Sequence, residues 1–92
     1  MKNNKIFIVE DDANLLYGLE SQFVAADLEV EVSEADEDIE ELLTTIKEFN
    51  PSYLVLDLIL PKIDGFELVK RIKSDEELGE KEIFIFTDLS DE

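Results

Sequence analysis

The chain has 92 residues, 45% of them hydrophobic and 36% charged, with 25 Asp+Glu against 8 Lys+Arg and a formal charge of −17. Area scaling for that length buries about 64% of the unfolded surface, enough for one modest core and no second domain. The hydrophobic fraction excludes a disordered tail. The charge excludes nucleic acid and anionic membrane surfaces as partners. Cys and His are absent. That removes disulfides, thiolate or imidazole metal sites, and Cys/His or Ser/His nucleophile pairs, and leaves carboxylates and hydroxyls for chemistry. No apolar run approaches the ~20 residues of a membrane span, so the expected location is the cytoplasm.

Two hydrophobic periods alternate along the chain. Lys5 to Val9 is a short continuous apolar run, the pattern of a strand buried on both faces. From Asn14 to Ala26, Leu15, Leu16, Leu19, Phe23 and Val24 recur at helical spacing, with Asp12 or Asn14 as cap. Leu28 to Val32 alternates apolar and acidic residues and predicts an edge strand with one wetter face. Asp36 to Phe49 predicts a second helix with Ile39, Leu42, Leu43, Ile46 and Phe49 inward, stopped by Asn50-Pro51. The acidic stretch from Glu34 to Glu41 is read as its solvated face, because Ile39 and Leu42 interrupt the acids at helical spacing.

Tyr53 to Leu56 is another continuous apolar strand, ending at Asp57. Asp64-Gly65 opens a third helix after Pro61, with Phe66, Val69 and Ile72 expected on one side. A polar connection from Ser74 to Glu82 leads to a fourth strand, Ile83 to Phe86, closed by Thr87. The order βαβαβαβ with short connections predicts a single α/β domain. Its sheet is parallel, with helices on both faces and right-handed crossovers.

In such sheets ligands bind beyond the carboxyl ends of the strands. Here the first strand runs into Glu10-Asp11-Asp12 and the third into Asp57. If those strands are neighbours, three carboxylates converge. Like charges ~4 Å apart cost several kcal/mol at an effective dielectric near 20, so the cluster requires a cation or a shared proton. Oxygen-only ligands favour Mg²⁺, or Mn²⁺ and Ca²⁺, over zinc. Asp12 is instead read as a helix cap.

IFIVEDD, YLVLDLILPKIDGFELVKRIK and IFIFTD together resemble the receiver domain of bacterial two-component response regulators, a CheY-like, flavodoxin-like fold. The resemblance covers essentially the whole chain and implies strand order 2-1-3-4. It further implies Asp57 as phosphoacceptor, Asp11 and Glu10 as Mg²⁺ ligands (Glu10 largely through water), and the Ile59 carbonyl as a further ligand. Thr87 would hydrogen-bond the phosphoryl group, and Ile59 and Leu89 would tune its hydrolysis. Both are apolar, which predicts slow self-dephosphorylation. Mg²⁺ is the expected cofactor, with Mn²⁺ as substitute. A histidine kinase or phosphotransfer protein is the expected phosphodonor, and the chain would be a phosphoacceptor rather than an enzyme acting on other substrates.

Two departures from the family qualify these expectations. Receivers continue into a fourth helix, a fifth strand and a fifth helix, whereas this sequence ends at Ser90-Asp91-Glu92. The domain, residues 1–92, is therefore expected to be incomplete at its C-terminus. The lysine that ends the fifth strand and the switch aromatic would be missing, and Lys62 is not expected to substitute. Asp88 stands where a small residue is usual. The strand from Ile83 to Phe86 becomes an edge open to self-association. The competing reading is a receiver used as an interaction or assembly module without phosphotransfer. Toprim-type nucleases and haloacid-dehalogenase-type phosphatases fail because no second acid stands two residues after Asp57. Nucleotide-binding Rossmann folds fail because Gly18, Gly65 and Gly79 form no phosphate loop.

Overall fold

The computed structural model describes residues 2–86. Its elements are β1 (Lys5–Val9), α1 (Ala13–Ala25), β2 (Glu29–Ser33), α2 (Ile39–Phe49), β3 (Tyr53–Asp57), α3 (Gly65–Ser74) and β4 (Glu82–Phe86). The four strands form one sheet in the order β2-β1-β3-β4, and every pair is parallel. The order, the element types and the parallel pairing are those expected from the sequence. Thr87, Asp88 and Leu89 lie outside the described residues.

Alternation along the central strands divides the core in two. Phe7, Val9, Leu54 and Leu56 face α2 and α3, where Leu42, Leu43, Ile46, Leu68 and Ile72 close over them. Ile6, Ile8 and Val55 face α1, meeting Leu16 with Leu19 and Phe23 alongside. The continuous apolar runs of β1 and β3 thus follow from burial on both faces. β2 alternates because it is an outer strand: Glu29 and Glu31 are exposed while Val30 and Val32 pack against the α1-side core.

Each helix begins at an aspartate. Asp12 Oδ1 accepts from the Asn14 and Leu15 N–H groups at 3.0 and 3.2 Å, Asp38 from Glu41 N–H at 2.8 Å, and Asp64 from Phe66 and Glu67 N–H at 3.0 and 3.3 Å. Each bond satisfies a donor that has no partner inside the helix, and losing such a cap costs about 1 kcal/mol. α2 consequently starts at Ile39, not Asp36, because Asp38 takes the cap position. It stops at Asn50, whose left-handed backbone (φ 56°) returns its N–H to the Ile46 carbonyl at 2.9 Å, immediately before the buried Pro51.

Two helix faces differ from the sequence expectation. In α1 only Leu16 is fully buried, and Leu15 and Val24 are 40% and 54% exposed. A single helix on this side of the sheet buries a narrow stripe. In α3, Phe66 is 64% exposed, while Leu68 and Ile72 point into the core and Val69 is half-buried. The rotation of α3 is set at its start. Gly65 is pressed so closely onto Leu58 that a Cβ would sit 2.5 Å from the Leu58 Cα, and that approach turns the Leu68–Ile72 row inward. The polar connection after α3 also hides an anchor. Asp75 Oδ1 accepts from the Glu77 and Leu78 N–H groups at 2.8 and 3.2 Å, and the turn so formed buries Leu78 completely.

Candidate functional site

β1 and β3 are hydrogen-bonded neighbours, with Val9 opposite Leu56. The next residues along each, Glu10 and Asp57, therefore emerge side by side at the carboxyl end of the sheet. Glu10, Asp11 and Asp57 each offer an oxygen, and these oxygens lie within 4.8 Å of one another. Glu10 and Asp57 are 3% and 5% exposed, whereas Asp11 faces solvent. The three acids named from the sequence are thus brought together, and Asp12 is set apart as the cap of α1.

The local hydrogen bonds fix which oxygens remain available. Glu10 Oε2 accepts the Asp12 N–H at 2.8 Å, and Glu10 N–H donates to the Ser33 carbonyl at 3.1 Å, tying the residue to β2. Glu10 Oε1 is buried with no partner. Asp57 Oδ1 accepts the Ile59 N–H at 3.0 Å, so the loop after β3 folds back onto the acid it follows. Burial pushes the Glu10 carboxyl up to about 7 from an ordinary 4.5. The Asp12 N–H opposes that shift, and the nearby Asp57 carboxylate reinforces it, with a smaller contribution from Asp11. Among the described residues no Lys or Arg pairs with any of the three acids.

An unpartnered buried carboxylate oxygen facing two further carboxylates costs free energy in every state except two: a proton is shared, or a cation is bound. The donor set is oxygen only, and that chemistry fits a hard divalent ion such as Mg²⁺. Ile59 is placed beside Asp57 by its main chain, and its side chain is 55% exposed at the mouth of the site. Lys62 is exposed.

The sequence reading missed Ser33, whose carbonyl at the end of β2 holds Glu10, and the turn through Ala35 and Glu37 that braces the Ser33 side chain. Ser33 is buried, its hydroxyl donates to Glu37 Oε1 at 2.8 Å, and it accepts the Ala35 N–H at 3.0 Å. Ala35 is itself buried in the left-handed region at φ 62°. Nothing in the run VSEADED marks that turn, because neither Gly nor Asn occupies the left-handed position.

A model of the response regulator receiver domain matches residues 6–92. The chain belongs to that family. The family is one of phosphoacceptor signalling domains in two-component systems. A probable transcriptional regulator, ycf27, of Porphyridium aerugineum is 32% identical over 91 residues, covering 99% of this chain and 35% of that protein. A protein-glutamate methylesterase/protein-glutamine glutaminase of Dechloromonas aromatica is 38% identical over 65 residues, 71% of this chain and 19% of that protein. The chain thus spans from about a fifth to about a third of the curated relatives it matches.

Among solved structures, a putative response regulator from Chloroflexus aurantiacus superposes with a TM-score of 0.82 at 31% identity, over 98% of this chain and 71% of that one. The response regulator TrrA from Thermotoga maritima, solved in complex with Mg²⁺–BeF, superposes with a TM-score of 0.79 at 26% identity, over 98% and 72%. No helix among the described residues is long and apolar enough to cross a membrane.

Proposed function

We propose that the chain is a cytoplasmic phosphoacceptor, phosphorylated on Asp57 in the presence of Mg²⁺ by a histidine kinase or a phosphotransfer protein. The observation that carries this reading is the convergence of Glu10, Asp11 and Asp57 around the unpartnered Glu10 Oε1. Glu10, Asp11, Asp57 and the Ile59 carbonyl would hold the ion, which supplies charge neutralisation for the transferring phosphoryl oxygens.

The Ile59 N–H holds Asp57 Oδ1, so the other carboxylate oxygen is the one free to attack. The new bond forms between that oxygen and phosphorus. The bond from phosphorus to the donor's imidazole nitrogen breaks, and the departing imidazole takes a proton from solvent. Thr87 would donate its hydroxyl to a phosphoryl oxygen. Ile59 and, as the family resemblance implies, Leu89 would offer hydrolytic water no polar anchor, so the acyl phosphate would be long-lived.

The test is incubation with Mg²⁺ and acetyl phosphate followed by intact mass measurement. A gain of one phosphoryl group that disappears in Asp57→Asn is expected, and a chain left unmodified at saturating donor would exclude the reading. One observation favours the other reading, an interaction module without phosphotransfer: no basic side chain among the described residues is paired with the acids. The same experiment separates the two.

A further inference from the structure

At the amino end of the sheet, opposite the acid site, a cavity of about 300 Å³ opens between the turn from α2 to β3 and the connection from α3 to β4. Lys2, Ser52, Glu77, Glu80 and Lys81 line it. Its two lysines are held differently. Lys2 is ion-paired with Glu82. Lys81 Nζ instead donates to Asn50 Oδ1, a neutral amide oxygen, at 2.9 Å. Among the described residues no carboxylate lies within ion-pair distance of Lys81. Asn50 is itself fixed by its main chain. Its backbone is left-handed at φ 56°, its N–H donates to the Ile46 carbonyl at 2.9 Å, and its carbonyl accepts from Asn3 Nδ2 at 2.9 Å. The amide oxygen thus fixes the position of Nζ without offering it a counter-charge. Half-burial pushes the Lys81 amine below its ordinary 10.5, with Glu77 opposing, whereas the Lys47 amine, bonded to the Asp75 carboxylate, is pushed up.

We propose that Lys81 is an acylation site, a nucleophile that takes a small acyl group from an uncharged thioester. A lysine that is partly desolvated and lacks a carboxylate partner presents more free amine at neutral pH than its solvated neighbours, and the free amine is the attacking form. The cavity beside Nζ gives a small acyl group room to enter. Charge selects the donor. Glu77 and Glu80 stand on the same wall and the chain carries −17, so an anionic acyl donor is repelled and a neutral one is not. The ammonium first loses a proton to solvent. The amine nitrogen then attacks the thioester carbonyl carbon, a C–N bond forms, and the C–S bond breaks. The departing thiolate takes the second proton that the nitrogen gives up. The product keeps one N–H for Asn50 and removes a positive charge from the junction of α2 and β4. The proposal is independent of phosphotransfer at Asp57.

The experiment treats the full chain with S-acetyl-N-acetylcysteamine, an uncharged thioester, and follows acetylation of each lysine by digestion and tandem mass spectrometry. Lys81 is expected to react at least threefold faster than Lys2, its neighbour on the cavity, and than the exposed Lys62 and Lys73. Asn50→Asp places a carboxylate against Nζ in a residue type that tolerates the left-handed backbone. It should slow Lys81 at least threefold and leave Lys62 unchanged. In concentrated urea the advantage of Lys81 should vanish, because the desolvation and the Asn50 contact both belong to the fold. Lys81 acetylated no faster than Lys62 and Lys73 would overturn the proposal, and that comparison needs no variant. So would a rate unaltered by Asn50→Asp. An advantage that persists in urea would overturn it too, since the flanking sequence GEKE would then be its source.

Discussion

Replacing Glu10 by Gln removes a charge that the fold holds at a cost whenever no cation is bound. Glu10 is 3% exposed, one oxygen has no partner, and its carboxyl sits at about 7 rather than 4.5. Between those two values the folded chain holds a proton that the unfolded chain has lost. Metal-free stability from this group is therefore highest at the acid side, falls as pH rises from about 4.5 to about 7, and levels off above. Each pH unit across that window is worth about 1.4 kcal/mol, giving about 3 kcal/mol at pH 8 as an upper bound. About 2 kcal/mol of it accrues between pH 5.5 and 8, and water at the mouth beside Asp11 screens part of either figure.

Glu10→Gln should thus be more stable than the parent at pH 8 in excess EDTA, by about 1–3 kcal/mol. A domain this small shifts its midpoint by roughly 4–8 °C per kcal/mol. The gain should fall below roughly half that size at pH 5.5, where the parent is largely protonated. In excess MgCl₂ the order should reverse at pH 8, because the parent gains binding energy that the amide cannot match. Thermal melts followed by circular dichroism at the two pH values, with EDTA and with Mg²⁺, supply all four comparisons. A Gln variant no more stable than the parent at pH 8 in EDTA, or equally advantaged at both pH values, would refute the account of a strained carboxylate cluster.

Three further outcomes are expected. Gly65→Ala forces a Cβ to within 2.6 Å of the Leu58 carbonyl carbon as well as its Cα, so the loop after Asp57 must move. A loss of about 2 kcal/mol or more in urea unfolding, together with weaker Mg²⁺ binding by titration calorimetry, is the expected signature. Ser33→Ala leaves the buried Ala35 N–H without its acceptor and should cost about 1–2 kcal/mol by the same unfolding assay. Ile59→Asn, on the exposed rim beside Asp57, should accelerate phosphate release from the phosphorylated chain in a time course, with little change in stability.

The parts of the structure legible in the sequence are those fixed by burial on both sides. KIFIV and YLVLD could only be central strands, and their neighbouring positions in the sheet then forced Glu10 and Asp57 together. Helix rotation was less legible. Phe66 is the largest apolar residue in the first turn of α3, yet it is exposed, because the close seating of Gly65 on Leu58 sets the phase and hydrophobic spacing alone does not. Leu78 was hidden in a polar stretch for a related reason: one aspartate turns the chain back on itself and buries the only leucine of that connection. The Ser33–Ala35–Glu37 turn left no trace at all, since a left-handed alanine carries no compositional mark.

These errors share a cause that bears on the site itself. Periodicity reports which residues avoid water, while the positions of Glu10 and Asp57 depend on main-chain bonds that periodicity does not see. Glu10 is held by the Ser33 carbonyl and the Asp12 N–H, and Asp57 by the Ile59 N–H. Each acid thereby has one oxygen or main-chain group fixed by the scaffold and one oxygen left over. A cluster of exposed, mobile carboxylates would separate to relieve its own repulsion, at little cost in a high dielectric. Here the sheet register and three backbone bonds prevent that separation. The repulsion is retained in the fold until a proton or a cation relieves it. It follows that strengthening the scaffold around Glu10 should raise both the metal-free cost and the metal affinity together, whereas loosening it should lower both.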